Sequence, residues 1–196
     1  MLRSSSSIIE KITDLEANTS PALAYFFFDG RDAQTGQQRH DGLLRSLIAQ
    51  FARQCDGIPP ALRVLYGHGD QRPSTVALQK TLGQLLDGFE KPYIVIDALD
   101  ECTETEQVLA WIRDVVSRKA GGVRLVVTSR PEREILDVFR DLDSQCVNLA
   151  TEASNNDIRA YLLHELATDR KLRKWYDDEE IRDEITWALL DGAQGM

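Results

Sequence analysis

Short, continuously apolar runs alternate along the chain with segments whose apolar residues recur at helical spacing. The runs Leu23–Phe28, Pro92–Asp97 and Val123–Thr128 are the length of strands, and their apolar character favours strands buried on both faces. The segments between them predict amphipathic helices. Strands separated by helices are typical of βαβ units, so the pattern predicts an α/β fold with a mainly parallel sheet flanked by helices.

Apolar residues at helical spacing predict seven helices. Their cores are Ile8–Leu15, Leu43–Phe51, Leu78–Phe89, Val108–Val116, Pro131–Phe139, Ile158–Leu166 and a last helix that opens with Asp177–Glu180. Ser74 is expected to start the third helix, and Thr103 with Glu106 has capping-box spacing before the fourth. The acidic run at Asp177 suits a helix N-terminus better than a metal site. Cys146–Leu149 predicts a fourth, weaker strand.

Composition excludes several classes of protein. The chain has 196 residues, 42% of them hydrophobic, and a net charge of −9, which is ordinary for a globular protein and unfavourable for nucleic-acid binding. Its three cysteines lie far apart, at no zinc spacing and with no disulfide framework. The longest apolar run falls far short of the roughly 20 residues of a membrane span, and no signal peptide opens the chain. We therefore expect a cytoplasmic protein.

The strongest chemical signal is the acidic turn that follows the second predicted strand. Asp97 lies at the carboxyl end of that strand, and Asp100 and Glu101 follow on the turn. Three carboxylates so close together repel one another unless a cation compensates, and Mg²⁺ carrying nucleotide phosphates would do so. This is the pattern of a Walker B strand. The alternative is a strand that ends in an acidic, solvated turn.

A second signal follows the third predicted strand. Thr128 and Arg130 come about one strand–helix–strand crossover after Asp97, so the two strand ends are expected to face the same crevice. A guanidinium there can bind a γ-phosphate at two points. The alternative is an exposed arginine that pairs with Glu132 or Glu134.

Three motifs in this order resemble one known domain. Phe26–Asp29, Ile94–Cys102 and Val127–Glu132 look like the NACHT domain of fungal NLR-like proteins, of the nephrocystin-3-like N-terminal type. That domain belongs to the STAND class of P-loop NTPases, which are signalling switches that bind ATP or GTP and oligomerise. The resemblance spans roughly residues 4–196.

The resemblance implies a role for each matched residue. It makes Asp97 the acid that holds Mg²⁺ through water, and it makes Asp100 and Glu101 the catalytic acids, one of which orients the attacking water. It places Arg130, as sensor 1, and Thr128 on the nucleotide. It also implies that residues 1–150 are a partial P-loop NTPase core and residues 151–196 the start of the helical region that follows.

One required motif does not occur in the sequence. A P-loop needs G-x-x-x-x-G-K-[ST] between a strand and a helix, and the 196 residues contain neither G-K-S nor G-K-T. We therefore expect an incomplete core that begins one strand and one loop late. Mg²⁺ with ATP or GTP is implied for an intact parent, and no cofactor is expected for this chain alone.

Two functions stay open at this point. The first is a fragment of a NACHT-type signalling switch that does not hydrolyse nucleotide alone. The second is a non-catalytic interaction module, a degenerate fragment that binds intact relatives or other proteins. In both cases the expected partners are proteins, including other copies through a NACHT oligomer, and neither nucleic acid nor membrane is expected.

Overall fold

Three parallel strands form the sheet of the protein. A computed structural model describes residues 9–14, 22–29, 39–66, 72–118, 122–148 and 152–193. The strands are β1 (Leu23–Phe27), β2 (Tyr93–Asp97) and β3 (Arg124–Val127), in the spatial order β1-β2-β3. Leu23 lies beside Tyr93 and Tyr93 beside Arg124, with parallel pairing throughout. The predicted α/β fold with a parallel sheet flanked by helices is confirmed.

Helices connect and cover these strands. They are α1 (residues 9–14), α2 (His40–Ala52), α3 (Pro60–Tyr66), α4 (Thr75–Leu86), α5 (Thr105–Ser117), α6 (Arg133–Asp141), α7 (Glu152–Thr168) and α8 (Glu179–Ala193). The Ser74 side chain accepts a hydrogen bond from the N–H of Ala77 (3.3 Å), so it starts α4 as predicted. Within the described residues, no helix is long and apolar enough to cross a membrane.

The chain divides into two compact units, Met1–Ser144 and Gln145–Met196. The first holds the sheet and α1 to α6. In the second, α7 packs against α8, and the Asp178 side chain accepts the N–H of Ile181 (3.3 Å) at the start of α8. The acidic run therefore opens a helix, as predicted. The assignment of residues 1–150 and 151–196 to parts of a P-loop NTPase stays a prediction.

The core of the first unit surrounds the central strand. Ile94, Val95 and Ile96 of β2 have no exposed surface, because β2 has a strand on each side and helices over its faces. Helix α2 packs against β1 and α4. Full burial of one such aliphatic side chain contributes about 1.5–3 kcal/mol. This core holds β2 rigidly, and the acidic turn follows directly from it.

The outer edge of β1 is covered by two glutamine side chains, from Gln50 in α2 and from Gln54 just after that helix ends. Gln50 accepts a hydrogen bond from the N–H of Tyr25 (3.0 Å) and donates one to the Tyr25 carbonyl (2.7 Å). One helical turn later, Gln54 makes the same pair of bonds with Leu23 (3.0 and 2.8 Å). An uncovered strand edge invites pairing with other chains. The two carboxamides take the place of a neighbouring strand along this part of the edge.

The edge of β3 is different. Its apolar sequence predicts burial on both faces, yet Leu125, Val126 and Val127 are only half-buried. In the described ranges, no strand pairs with the side of β3 that faces away from β2. The sheet therefore has one edge that is covered at Leu23 and Tyr25, on β1, and one open apolar edge, on β3.

Three local predictions are wrong. Residues 146–148 form no strand, and Val147 is 77% exposed, because no neighbouring strand is there to pair with them; Leu149 lies outside the described residues. The capping box predicted at Thr103 and Glu106 would start α5 after Thr103, but α5 begins at Thr105. Glu104 precedes it, and its side chain bonds the start of α2 instead of capping α5. Helix α3 has no counterpart among the predicted helices. The sequence also predicts loops over residues 29–41 and 67–73; most of both lies outside the described residues, and α2 already begins at His40.

Candidate functional site

The carboxyl ends of β2 and β3 lie side by side and are joined through Thr128. Asp97 ends β2 and is 5% exposed, while Thr128 directly follows β3. The Thr128 hydroxyl donates a hydrogen bond to Asp97 Oδ1 and accepts one from the N–H of Ala98 (3.1 Å). Asp97 and Thr128 were expected at one crevice, and the fold brings them into direct contact.

Backbone bonds reinforce this junction. The N–H of Thr128 donates to the Ile96 carbonyl (2.9 Å), and the Thr128 carbonyl accepts from the N–H of Leu99 (3.0 Å). Between them, Ala98 has left-handed backbone angles (φ 54°, ψ 51°). That conformation costs a non-glycine residue roughly 1–2 kcal/mol. Such strain occurs often at functional sites, where the surrounding bonds hold it in place.

Asp100 fixes the turn that carries Arg130. Its side chain is 7% exposed, and Oδ1 accepts hydrogen bonds from the N–H of Arg130 (3.0 Å) and from the hydroxyl of Ser129 (3.2 Å). The guanidinium Nε of Arg130 lies 3.5 Å from Asp100 Oδ2. One carboxylate therefore compensates the charge of the arginine and also holds its backbone.

The Arg130 side chain remains half exposed beside this carboxylate. Its ion-pair partner is Asp100, and within the described residues it pairs with neither Glu132 nor Glu134. The alternative in which Arg130 pairs with Glu132 or Glu134 is therefore wrong about the partner. Because half of the side chain faces solvent, the guanidinium can bind a second anion while Asp100 holds the backbone.

Glu101 ends a 3₁₀ turn, Leu99–Glu101, between β2 and α5. Its N–H donates to the carbonyl of Ala98 (3.0 Å), and its side chain is half-buried. Asp100, and not Glu101, accepts the N–H of Arg130. The two neighbouring acids thus have different surroundings, which the sequence did not distinguish.

The donor set suits a magnesium ion held through water, and it does not form a protein cage. No group of three or more Asp, Glu, His or Cys side chains converges in the part of the chain that the structure describes. Mg²⁺ usually keeps several waters and takes one or two carboxylates together with phosphate oxygens. Asp97, at the strand end and already joined to a hydroxyl, fits that mode of binding.

Cys102 and His40 are buried close to this turn but suit no catalytic role. Burial raises the pKa of Cys102 to about 11, so its thiol stays protonated at neutral pH. Burial lowers the pKa of His40, against the opposing effects of Glu104 and Asp41. His40 is 2% exposed, and its Nε2 has no hydrogen-bond partner among the described residues.

Sequence reasoning missed two residues that organise this region. Ser129 bonds Asp100, although a serine after a strand is too common to single out. Glu104 accepts the N–H of His40 (2.9 Å) at the first residue of α2 and pairs with Arg39 (3.2 Å). It links the start of α5 to the start of α2, a contact between segments far apart in sequence that no local pattern indicates.

The fold and this junction define an α/β domain with a partial P-loop-like core. Residues 4–130, more than half of the chain, match the family described as Nephrocystin 3, N-terminal. The chain belongs to this family. The match covers all three strands and ends at Arg130. Comparison with curated proteins gave no match.

Proposed function

We propose that this chain supplies the magnesium-binding and phosphate-sensing part of a NACHT-type nucleotide switch of the STAND class. The observation that carries the proposal is the junction at the carboxyl ends of β2 and β3, where Asp97 is bonded to Thr128 and Asp100 to Arg130. Ligands of open parallel sheets bind at these strand ends. Membership in the nephrocystin 3 N-terminal family is compatible with such a domain.

Each residue has a distinct proposed role. Asp97 holds the water shell of Mg²⁺, and the hydroxyl of Thr128 orients its carboxylate. The bound ion would neutralise the charge that develops on the phosphates. Arg130 binds the γ-phosphate and, when that phosphate is lost, remains paired with Asp100. Arg130 thereby couples the nucleotide to the turn after β3.

Of the two acids after β2, we assign the orientation of the attacking water to Glu101. Asp100 is nearly buried, and both of its oxygens already face Arg130 or Ser129. A residue that orients water needs an oxygen that can reach that water. Asp100 is therefore a positioning residue for Arg130 in this proposal, and Glu101 is the catalytic residue.

The phosphate cradle is not part of the 196-residue sequence, which has no G-K-S or G-K-T. In P-loop NTPases, backbone N–H groups and a lysine of that cradle supply most of the phosphate contacts. We therefore expect residues 1–196 alone to bind nucleotide weakly and not to hydrolyse it. The open apolar edge of β3 supports a further strand beside it, from the same polypeptide or from a protein partner.

The experiment combines transcript mapping with nucleotide binding. The 5′ end of the native transcript is mapped, the longest native chain containing residues 1–196 is purified, and binding and turnover of Mg-ATP and Mg-GTP are measured. A longer chain with a P-loop should bind nucleotide at micromolar concentration. Glu101→Gln should abolish its turnover but preserve binding, while Arg130→Ala should weaken the preference for triphosphate over diphosphate.

Two results would overturn the proposed switch. One is a native chain that starts at Met1 and binds neither nucleotide. The other is full turnover in Glu101→Gln and in a matching Asp100→Asn variant. The first result would favour the alternative, a non-catalytic interaction module that uses the open edge of β3. Micromolar binding of Mg-ATP by residues 1–196 alone would contradict the expectation that the cradle is required.

A further inference from the structure

A groove of about 560 Å³ lies at the outer edge of β1, and neither Asp97 nor Arg130 lines it. Tyr25 and Phe27 line it on the strand side, with ring centroids 5.5 Å apart. Three arginines, Arg39, Arg45 and Arg72, line it together with the first turns of α2. We call it the β1 groove.

The strand edge inside this groove is left open at one residue. Leu23, Tyr25 and Phe27 are the residues of β1 whose backbone groups point away from β2, because the alternate residues pair with it. Gln54 and Gln50 cover the first two. One turn earlier on α2 stands Ser46, whose hydroxyl accepts a bond from Gln50 (3.1 Å) and is too short to copy the glutamines. The N–H and C=O of Phe27 have no such partner in the described part of the chain.

The charge of the β1 groove is positive although the chain carries a net charge of −9. Asp41 is the one acid among the residues that line it, against three arginines. Arg45 pairs with Asp41 (2.9 Å). Arg72 is exposed and has no ion pair within the described ranges. Arg39 pairs with Glu104 (3.2 Å), so Arg72 is the arginine of this groove that no acid among the described residues neutralises.

We propose that the β1 groove binds a short, extended, acidic segment of a partner protein. One residue of that segment pairs, through its own C=O and N–H, with the N–H and C=O of Phe27, as in strand addition at a sheet edge. Its carboxylates bind Arg72 and Arg45 in charge-assisted hydrogen bonds. Gln50 stops the pairing at Tyr25, so the docked segment is only a few residues long.

Backbone chemistry and charge together favour a peptide over a simple anion. A phosphate ion would satisfy the arginines, but it has no peptide backbone to match both the N–H and the C=O of Phe27. An acidic peptide supplies both kinds of group. The tilted rings of Tyr25 and Phe27 offer an apolar surface for one aliphatic side chain between the acids.

The test measures fluorescence anisotropy of a labelled heptapeptide with four glutamates around a central valine, blocked at both ends. The full 196-residue chain should bind it at low salt and should not bind the same peptide with glutamines for glutamates. Arg72→Glu should weaken binding about 10-fold or more, a change of about 1.4 kcal/mol. Arg133→Glu, at a 94% exposed side chain on α6, is the matched charge control and should leave affinity unchanged.

A second pair of variants tests the strand edge. Ser46→Gln should extend the row of carboxamides by one turn, cover Phe27 and weaken the peptide several-fold, whereas Ser46→Ala should not. Methylation of the central peptide nitrogen should weaken binding similarly. Far-UV circular dichroism and the urea midpoint check that each variant is folded, and the N-methylated peptide tests the same strand edge if Ser46→Gln is unfolded.

Three outcomes would overturn the proposal. They are equal binding of the glutamate and glutamine peptides, equal weakening by Arg72→Glu and Arg133→Glu, and unchanged affinity of the N-methylated peptide. If the N-methylated peptide binds as tightly as the unmodified peptide and inorganic phosphate or ATP displaces it, the groove is a simple anion site instead. None of these readouts depends on nucleotide turnover, so they are independent of the proposed switch.

Discussion

Replacement of Asp100 by alanine tests whether this acid holds the turn after β3. The side chain is 7% exposed and accepts two hydrogen bonds, from the N–H of Arg130 and the hydroxyl of Ser129. Bonds to a charged group contribute about 1.5–3 kcal/mol each. The ion pair adds less than about 1 kcal/mol, because the arginine is half exposed. Since all three contacts share one carboxylate, they do not add fully, and we expect Asp100→Ala to lose about 2–4 kcal/mol.

The assay is urea unfolding of the full chain, followed by far-UV circular dichroism and by tryptophan emission, to which Trp111, 3% exposed in the same unit, contributes. Asp87→Ala is the matched control, since Asp87 also bonds an arginine, Arg118, at 3.0 Å, but with both side chains well exposed. It should lose less than about 1 kcal/mol. Asp100→Asn keeps its acceptor oxygen and should fall between the two. Equal losses in Asp100→Ala and Asp87→Ala would refute the positioning role.

The remaining predictions concern other buried or edge residues. At pH 8, Cys102 should react with a disulfide reagent only on unfolding, because its pKa of about 11 keeps the thiol protonated, while exposed Cys146 reacts at once. Because the pKa of His40 is lowered in the folded protein, the unfolded chain takes up this proton at a higher pH than the folded chain does. The free energy of unfolding should therefore fall as pH drops below 6.5, and His40→Phe should reduce this pH dependence in urea titrations. The double change Gln50→Ala and Gln54→Ala removes four exposed hydrogen bonds to β1 and should lower the free energy of unfolding by about 1–3 kcal/mol in the same titration. Because it uncovers the strand edge, it should also increase self-association in sedimentation experiments.

The sequence was informative wherever a local pattern decides the structure. Apolar runs set the three strands, and the position of Asp97 at a strand end follows from where its run stops. The contact between Asp100 and Arg130 could not be predicted in the same way, because two acids, Asp100 and Glu101, follow Asp97 on the turn and sequence gives no measure of burial. Burial and hydrogen bonds separate Asp100 from Glu101, and these depend on how β3 packs beside β2.

Contacts between distant segments were also beyond local patterns. Gln50 and Gln54 have ordinary helical spacing, and their pairing with β1 depends on how closely α2 approaches the strand. Strand β3 differs, because its apolar sequence correctly predicts a strand, whereas the burial that it predicts on both faces is incomplete. What differs is the absence, among the described residues, of a neighbour on one side.

The two edges of the sheet limit how this domain can be completed. At β1, carboxamides already occupy the backbone groups of Leu23 and Tyr25, so an added strand would have to displace four hydrogen bonds. At β3, an apolar strand has an open side, and a strand that pairs with it in parallel brings its own carboxyl end next to Arg130. The residues that follow such a strand would then face Asp97. In the proposed switch, completing the sheet and completing the nucleotide site are therefore one event, and the alternative interaction module would use the same edge.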